Sequence, residues 1–278
     1  MAKNTSFIRW AGGKAWFISA VQDMIKNIQF NNYIEPFMGG ASIFFSLELP
    51  NRAFLSDING ELVNTFIQIR DNLDCVTERM KEYKTDKDSY YEIRKQEPTD
   101  PVEQAARFLY LNFYSFNGIY RVNSKGKFNV PYGRRIGEFN YERLQGIRDK
   151  LQIADIRVRD FDACRDSIRK GDLVFLDPPY AVSSKSTGSD MFIAYNPTLF
   201  SLEDQQRLAE LIDYINEVDA FFILTNAHHP KIAKIFKDKG AMLEYDRTCN
   251  IGGKAAKRGK VKEYIFTNIP GIVREEAE

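Results

Sequence analysis

Residues 173–180 read L-V-F-L-D-P-P-Y, and this stretch decides the predicted fold. Its first four residues are apolar, which is typical of a strand buried on both faces of a parallel sheet. Two prolines follow Asp177, and because proline has no N–H, the strand and its hydrogen bonding end together. We therefore expect Asp177, Pro178 and Tyr180 at the carboxyl edge of an open α/β sheet, where such folds bind ligands. The alternative is a strand capped by a turn that merely contains Asp177 and Tyr180.

Two earlier stretches also predict short strands that end near an acid. Residues 33–42 read Y-I-E-P-F-M-G-G-A-S and precede an apolar helix at 43–49, while residues 53–59 read A-F-L-S-D-I-N. Glycines after a strand let the backbone approach a cofactor, and an acid at such an edge accepts hydrogen bonds from ribose hydroxyls. Asp57 is therefore a candidate ribose ligand, and its alternative role is to cap the next helix. The pattern predicts an α/β fold, a Rossmann-like sheet with helices on both faces.

Residues 61–140 interrupt this α/β pattern. Residues 62–114 have helical spacing with a break at Pro98 and Pro101, and residues 112–133 are rich in aromatic residues, Asn and Gly. Turn dipeptides at 117–118 and 125–126 predict a β-hairpin there. Aromatic, Asn and Arg side chains on such a loop can wedge between bases and read base edges. We therefore predict a domain formed by 1–60 and 141–278, with 61–140 inserted as a mainly helical recognition domain carrying a β-hairpin.

The composition excludes several classes of protein. The 278 residues include three cysteines without C-x-x-C spacing, which predict neither a zinc site nor a disulfide framework and are typical of a cytoplasmic protein. No stretch approaches the roughly 20 apolar residues of a membrane span, and the start does not resemble a signal peptide. The sequence has neither H-x-E with C-x-x-C nor G-x-S-x-G, so it lacks the motifs of zinc deaminases and serine hydrolases.

Positive charge is concentrated in two stretches although the net charge is only +1. One comprises Arg121, Lys125, Lys127, Arg134 and Arg135, and the other comprises Lys254, Lys257, Arg258, Lys260 and Lys262. Charge runs are usually solvated loops. Two basic, glycine-containing loops on a nearly neutral chain nevertheless favour a local surface for a polyanion such as nucleic acid.

The D-P-P-Y motif suits group transfer to a planar exocyclic amine. Such an amine is a poor nucleophile because its lone pair is delocalised into the ring. If Asp177 and the carbonyl of Pro178 each accept one N–H, the nitrogen can direct its lone pair at an electrophilic methyl group while Tyr180 stacks on the base. The rate enhancement then comes mostly from alignment and placed dipoles. A base in a duplex must be flipped out to reach such a pocket.

With these motifs in this order, nearly the whole chain resembles the DNA adenine-N6 methyltransferases of the Dam type, the D12 class. The resemblance implies a methyltransferase sheet, S-adenosylmethionine as methyl donor, S-adenosylhomocysteine as product, and no metal. Residues 9–14, R-W-A-G-G-K, and 35–40, E-P-F-M-G-G, are similar to the family's donor-binding loops. The predicted donor-binding residues are Trp10, Lys14, Glu35, Phe37, Gly39, Asp57, Asp162 and Asp177.

Residues 113–133 resemble the family's recognition hairpin, which implies double-stranded DNA as substrate and GATC as the site. Arg121 matches the arginine that reads a guanine, and Phe116 stands where some members have a wedging tyrosine. The predicted DNA-binding residues are Phe116, Asn117, Ile119, Arg121, Pro131, Arg134, Arg135, Lys254 and Arg258. We expect a cytoplasmic monomer that acts on no membrane, with a cognate restriction endonuclease as a candidate partner.

Three other functions are compatible with parts of this pattern. Related D-P-P-Y or N-P-P-Y motifs serve methyltransferases acting on ribosomal RNA or on a protein amide, but the inserted recognition segment argues against that reading. A DNA-binding regulator that has lost activity would need neither intact donor loops nor D-P-P-Y. The third alternative is a nicotinamide oxidoreductase. The incomplete glycine fingerprint G-x-G-x-x-G and the lack of an evident acid or base for hydride transfer argue against it.

Overall fold

The computed structural model describes residues 6–134, 137–179, 200–248 and 260–272, without the side chains of 247, 248, 260 and 261. The helices are α1 (Ile18–Ile25), α2 (Ser42–Ser46), α3 (Gly60–Asp71), α4 (Leu73–Glu82), α5 (Lys87–Lys95), α6 (Pro101–Tyr114), α7 (Glu142–Leu151), α8 (Leu202–Glu217) and α9 (Pro230–Phe236). Short 3-10 helices span Ala15–Phe17, Phe116–Gly118 and Phe161–Ser167. In these ranges no helix is long and apolar enough to cross a membrane.

The strands are β1 (Tyr33–Glu35), β2 (Ala53–Asp57), β3 (Ala154–Val158), β4 (Leu173–Leu176), β5 (Phe221–Ala227), β6 (Ala241–Thr248) and β7 (Lys260–Thr267). These seven strands and their helices confirm the predicted α/β class. The chain divides into two compact units, the first made of 1–18, 38–48 and 52–161 and the second of 19–37, 49–51 and 162–278. The domain division at 61–140 stays a prediction.

In the second unit the strand order is β1-β4-β5-β7-β6. Strands β1, β4 and β5 are parallel, with Ile34 opposite Val174 and Leu176 opposite Leu224. All four residues of β4 are buried, which confirms the strand predicted from the apolar run. The sequence of residues 245–268 predicts a hairpin, and β6 and β7 do form an antiparallel pair.

In the first unit β2 and β3 run parallel, and Asp57 at the end of β2 is opposite Val158. Helices α3 to α6 confirm the helical pattern at 62–114, with the predicted break between α5 and α6. Helix α6 begins at Pro101, because the side chain of Asp100 accepts a hydrogen bond from the Glu103 N–H and proline needs no partner there.

Three elements differ from their predictions. The helix predicted over 43–49 is only Ser42–Ser46, since Leu47 is already extended and Pro50 follows. The helical spacing of apolar residues over 15–28 predicts a helix there, but the observed one starts as a 3-10 turn and ends at Ile25. Within 112–133, two isolated antiparallel bridges, Ser115 to Tyr132 and Val122 to Phe128, replace a continuous hairpin ladder. Asn117 and Gly118 have positive φ and Pro131 has no N–H, so regular pairing is interrupted.

Candidate active site

Asp177 lies in the second unit, one residue beyond the end of the buried strand β4. Its Oδ1 accepts a hydrogen bond of 2.7 Å from the Oγ1 of Thr225, a buried residue of the neighbouring strand β5. The parallel register of Leu176 with Leu224 brings these two side chains together. Pro178 is buried and Pro179 is exposed, while the predicted Tyr180 lies outside the described residues. A strand end and a hydroxyl group therefore orient the carboxylate.

Glu35 ends β1, the parallel neighbour of β4, and only 3% of its surface is exposed. The hydroxyl group of Tyr33 donates a 2.9 Å hydrogen bond to Glu35 Oε2. Burial raises the pKa of Tyr33 well above its usual value, and the charges of Glu35 and Asp177 raise it further. Tyr33 therefore stays protonated and acts as a hydrogen-bond donor. Two of the predicted acids thus share one edge of the second unit.

The other predicted residues of the second unit have defined contacts. The ring of Phe37 meets that of Phe200 edge-on, with centroids 5.7 Å apart. Asp162 is half-buried and accepts a 2.8 Å hydrogen bond from Arg165 Nε. This ion pair joins residues on successive turns of one 3-10 helix, so it is a local contact.

In the first unit, Asp57 ties the end of β2 to the glycine loop. Its Oδ2 accepts a 3.0 Å hydrogen bond from Gly39 N, and its Oδ1 accepts one of 2.9 Å from Asn59 N. Burial raises the pKa of Asp57, and these backbone N–H groups partly offset that effect. The helix α3 is capped by Asn59, whose Oδ1 accepts from Leu62 N, so the alternative role of Asp57 as helix cap is wrong.

Two exposed apolar residues accompany Asp57, and the sequence interpretation missed both. Ile58 is 78% exposed and Val158, opposite Asp57 in the sheet, is 56% exposed. A carboxylate bordered by uncovered apolar surface suits a nucleoside, which offers ribose hydroxyls and a flat ring. The available signal was Ile58 itself, an apolar residue placed directly after the acid that ends β2.

Trp10 is half-buried in an aromatic cluster of the first unit. Its ring stacks on that of Tyr120, with centroids 5.3 Å apart and planes 27° apart, and it also lies 6.5 Å from the ring of Phe108. A Cβ added to Gly39, which has φ of +44°, would lie 2.8 Å from Cδ1 of Trp10, so only glycine fits there. Lys14 is 2% exposed, and its Nζ donates to Gly12 O at 3.2 Å.

The recognition segment, residues 115–133 of the first unit, presents exposed side chains. Phe116 is 54% exposed and Ile119 is 38% exposed. Arg121 is exposed, and its Nε donates a 2.8 Å hydrogen bond to Asn129 Oδ1. Asn117 is exposed with φ of +59°. An apolar wedge candidate and an oriented guanidinium therefore share one segment.

The remaining predicted DNA contacts are partly described. Pro131 is exposed, and its carbonyl accepts a 2.8 Å hydrogen bond from Phe116 N. Arg134, just beyond the segment, is exposed with φ of +52°. Arg135, Lys254 and Arg258 lie outside the described residues.

Comparison with known proteins decides the family. The profile described as D12 class N6 adenine-specific DNA methyltransferase matches residues 10–250. The chain belongs to this family. It is 33% identical over 274 residues to the "Type II methyltransferase M1.LlaDCHI" of Lactococcus lactis subsp. cremoris, covering 94% of both chains. It is 32% identical over 271 residues to a "DNA adenine methylase" of Haemophilus influenzae, covering 95% of this chain and 93% of the relative.

The solved structure of a precorrin-6y C5,15-methyltransferase from Geobacter metallireducens matches with a TM-score of 0.36 and 12% identity. The match covers 90% of this chain and 85% of that one. A likeness of this size carries no weight for fold or function. The D12 methyltransferase is thus identified by sequence, and its strands independently confirm the α/β class.

The D12 family assignment confirms adenine-specific methylation of DNA as the activity. This activity is favoured over the three alternatives, an RNA methyltransferase, an inactive regulator and an oxidoreductase. It also implies S-adenosylmethionine as the methyl donor, in agreement with the sequence prediction. Sequence reasoning missed the hydrogen bonds that Tyr33, Thr225 and Asn129 make to predicted site residues, and the stacking of Tyr120 on Trp10.

Proposed function

We propose that this D12 methyltransferase methylates N6 of an adenine flipped out of duplex DNA, and that its site is GATC. The supporting observation is the placement of Asp177 at the end of a buried strand, held by the Thr225 hydroxyl at 2.7 Å. A carboxylate fixed at a strand end keeps one geometry through the reaction, which is what alignment of a weak nucleophile needs.

Asp177 and the carbonyl of Pro178 are the proposed acceptors for the two N–H groups of the adenine amine. Their hydrogen bonds draw the nitrogen out of conjugation with the ring, so its lone pair points along one direction. Thr225 holds Asp177 in place, and Tyr180 is proposed to stack on the base. S-adenosylmethionine supplies the electrophilic methyl group when bound. Because the contribution is orientation and placed dipoles, no covalent link between the chain and the base is needed.

The donor-binding roles are proposed from the family resemblance together with the local contacts. Asp57 suits ribose hydroxyls, because a carboxylate has about four acceptor sites and can accept more than the bonds from Gly39 and Asn59. The exposed Ile58 beside it suits the adenine ring of the donor. The further proposed donor contacts are Trp10, Lys14, Glu35, Phe37, Gly39, Asp162 and Asp177.

Recognition of the DNA is assigned to the residues proposed from the resemblance. Arg121 is proposed to read guanine, since an arginine can bond its O6 and N7 together. Phe116 is proposed to fill the space of the flipped adenine, which its exposure of 54% permits. Asn117, Ile119, Pro131, Arg134, Arg135, Lys254 and Arg258 are proposed as neighbouring base or phosphate contacts. Residues 61–140 would then form the recognition domain of a monomeric enzyme.

The proposal is tested by sequencing modified bases in DNA from cells that express the chain. We expect N6-methyladenine in one short sequence, GATC, and its loss in cells expressing Asp177→Ala. The matched control is Asp213→Ala, which removes an aspartate of α8 that bonds Lys239 in the same unit. Methylated adenines in a different sequence would overturn GATC alone, whereas modification in the Asp177→Ala cells would overturn the catalytic assignment.

A cognate restriction endonuclease is the proposed partner. If one exists, DNA methylated by this chain resists cleavage at the methylated sequence by that nuclease. If the nuclease cleaves methylated and unmethylated DNA at equal rates, it is not the cognate partner of this methyltransferase. Sedimentation of the purified chain alone and with a short duplex tests the proposed monomer.

A further inference from the structure

Tyr120 touches two stretches of the first unit that carry proposed donor contacts. Its ring stacks on Trp10 at 5.3 Å and lies 5.4 Å from the ring of Phe108. Its hydroxyl donates a 2.9 Å hydrogen bond to Glu61 Oε2 and also interacts with the side chain of Asn59. Asn59 stands two residues after Asp57 and bonds to it through its backbone N–H. One side chain therefore contacts both the Trp10 loop and the turn that follows β2.

A second link joins the Trp10 loop to the recognition segment. The side chain of Asn112, 5% exposed, accepts from Arg9 N at 2.9 Å and donates to Arg9 O at 2.8 Å. It also donates to Gly118 O at 3.2 Å. A Cβ on Gly118 would lie 2.3 Å from Cδ of Arg9, so the Arg9 side chain packs directly against the Gly118 backbone. The residues flanking Trp10 and Tyr120 are thus fixed to each other.

We propose that Tyr120 is a positioning residue that sets the orientation of Trp10 and couples methyl-donor binding to DNA reading by Arg121. The proposal rests on the proposed donor role of Trp10 and the proposed reading role of Arg121. Tyr120 precedes Arg121 directly, and the Arg121 guanidinium is held by Asn129 on the returning chain. Because Tyr120 and Arg121 are adjacent, any backbone shift that accompanies a change in the packing of Tyr120 reaches Arg121 directly.

The contacts around Trp10 give this coupling its physical basis. The Trp10 indole stacks on Tyr120, and it lies so close to Gly39 that no side chain would fit at position 39. Gly39 N in turn donates to Asp57. A donor that contacts Trp10 and Asp57 stabilises the arrangement in which Tyr120 is stacked. Coupling between two binding equilibria is reciprocal, so DNA bound by Arg121 strengthens donor binding by the same factor.

The test measures two dissociation constants for the full chain. The Kd for S-adenosylhomocysteine is measured by calorimetry, and the Kd for a cognate and a scrambled duplex by fluorescence anisotropy with and without S-adenosylhomocysteine. For the unchanged chain we expect S-adenosylhomocysteine to tighten cognate binding about tenfold more than scrambled binding, within the range of about 5- to 150-fold found for coupled sites. Tyr120→Leu should reduce this ratio to about twofold and raise the S-adenosylhomocysteine Kd about tenfold.

Two variants separate a positioning role from general packing. Tyr120→Phe keeps the stacked ring and loses the bond to Glu61, so the coupling ratio should fall by less than about threefold. Tyr83→Leu is the matched control, because Tyr83 is likewise half-buried in the first unit and its ring meets that of another tyrosine, Tyr110, edge-on with centroids 5.3 Å apart. It should leave the donor Kd and the coupling ratio unchanged. Tyr120→Met keeps most of the buried volume and replaces Tyr120→Leu if that variant unfolds.

Trp10→Ala distinguishes failure of this inference from failure of the proposed function. If Trp10→Ala leaves the S-adenosylhomocysteine Kd unchanged, the donor role of Trp10 is wrong. If Trp10→Ala weakens binding but Tyr120→Leu and Tyr120→Met keep the wild-type Kd and ratio, the positioning role of Tyr120 is overturned. In the double variant Trp10→Ala/Tyr120→Leu we expect no more loss than in Trp10→Ala alone, because contacting residues are not additive.

Discussion

The carboxyl edge of the second unit and the recognition segment of the first unit are built in opposite ways. Asp177 follows a fully buried strand that has a parallel partner on each side, and a hydroxyl group fixes it. Residues 115–133 have two isolated bridges, and their outward side chains Phe116, Ile119 and Arg121 are exposed. The proposed catalytic residue follows a strand of a sheet, whereas the residues proposed to read DNA lie on a loop held by scattered backbone bonds and a few side-chain bonds.

This difference teaches which part of the enzyme can change. Strand β4 cannot be altered without disturbing its neighbours on both sides, so the position of Asp177 is tied to the fold. The exposed side chains of the recognition segment can be substituted with little effect on stability, as surface positions usually can. The comparison therefore predicts that catalysis and sequence choice can be damaged separately.

The largest expected effect comes from Asp177→Ala. It removes an acceptor for the adenine amine, and loss of one placed hydrogen-bonding group in an active site costs about 10²- to 10³-fold in kcat. The fold should survive, because Asp177 lies beyond the last residue of β4. The measurements are kcat at saturating donor and DNA, and the midpoint Tm of thermal unfolding.

Asp213→Ala serves as the control for this change and should keep near-normal kcat, since the carboxylate of Asp213 bonds the ammonium group of Lys239. A donor-saturated Asp177→Ala enzyme with a normal rate would end the catalytic role of Asp177. The contrast between a rigid catalytic edge and an exposed recognition segment would then fail, because Asp177 would have no role in the reaction.

Arg121→Ala should produce the next largest effect, and a selective one. Loss of a guanine contact costs about 1–3 kcal/mol of discrimination at one base pair. Methylation rates on duplexes with each single substitution in the site measure it, and kcat on the best duplex should stay near normal. Lys125→Ala, an exposed cation of the same segment, should weaken all sequences alike. An equal loss on every duplex with Arg121→Ala would make Arg121 a phosphate contact.

The difference between the two regions also explains what the sequence could predict. The apolar run of β4, the break after Leu176 and the strand ending at Asp57 are local patterns, and each was confirmed. The 2.7 Å bond from Thr225 to Asp177 joins residues 48 positions apart, and no periodicity encodes such a contact. The apolar run at 220–224 likewise predicts a buried strand that ends at residues 225–226, and the observed strand spans Phe221–Ala227.

For the recognition segment, the sequence predicted the turn correctly but not the pairing of the chain on either side of it. Asn117 and Gly118 marked a turn correctly, since both have positive φ. The hairpin ladder was wrong because Pro131 cannot donate and the irregular turn uses backbone groups that a ladder needs. The contacts of Tyr120 with Trp10 and Asn59 depend on tertiary packing of separate segments, so only the folded chain shows them.

Phe116→Ala should have a smaller effect, about tenfold on the methylation rate of a paired adenine. Filling the gap beside a flipped base lowers the cost of extrusion, and that cost is least for an unpaired base. For an adenine opposite an abasic site, Phe116→Ala should therefore lower the methylation rate by less than about threefold. Val122→Ala, 38% exposed in the same segment, is the matched control. Equal losses on both duplexes would show that Phe116 does not act as a wedge.

The smallest effect concerns Asp57 and its pH dependence. Burial raises the pKa of Asp57 above the ordinary value of 3.8, so between these two values the folded chain binds more protons than the unfolded chain. The contribution of this group to stability is therefore present below 3.8 and is lost as the pH rises through the raised pKa. Urea unfolding at a series of pH values measures the slope, which Asp57→Asn should remove.

Donor binding should follow the opposite trend, which makes the assignment testable. If the ionised carboxylate of Asp57 accepts the ribose hydroxyls, the Kd for S-adenosylhomocysteine rises as the pH falls through the raised pKa. Asp57→Asn should bind S-adenosylhomocysteine weakly at every pH. Asp74→Asn changes an exposed residue of α4 and should keep the wild-type dependence of Kd on pH. A flat curve shared by the wild type and Asp57→Asn would leave Asp57 with only its bonds to Gly39 and Asn59. Asp57 would then only shape the loop at the end of β2, as side chains of the recognition segment do. It would have no role like the one proposed for Asp177 at the end of β4.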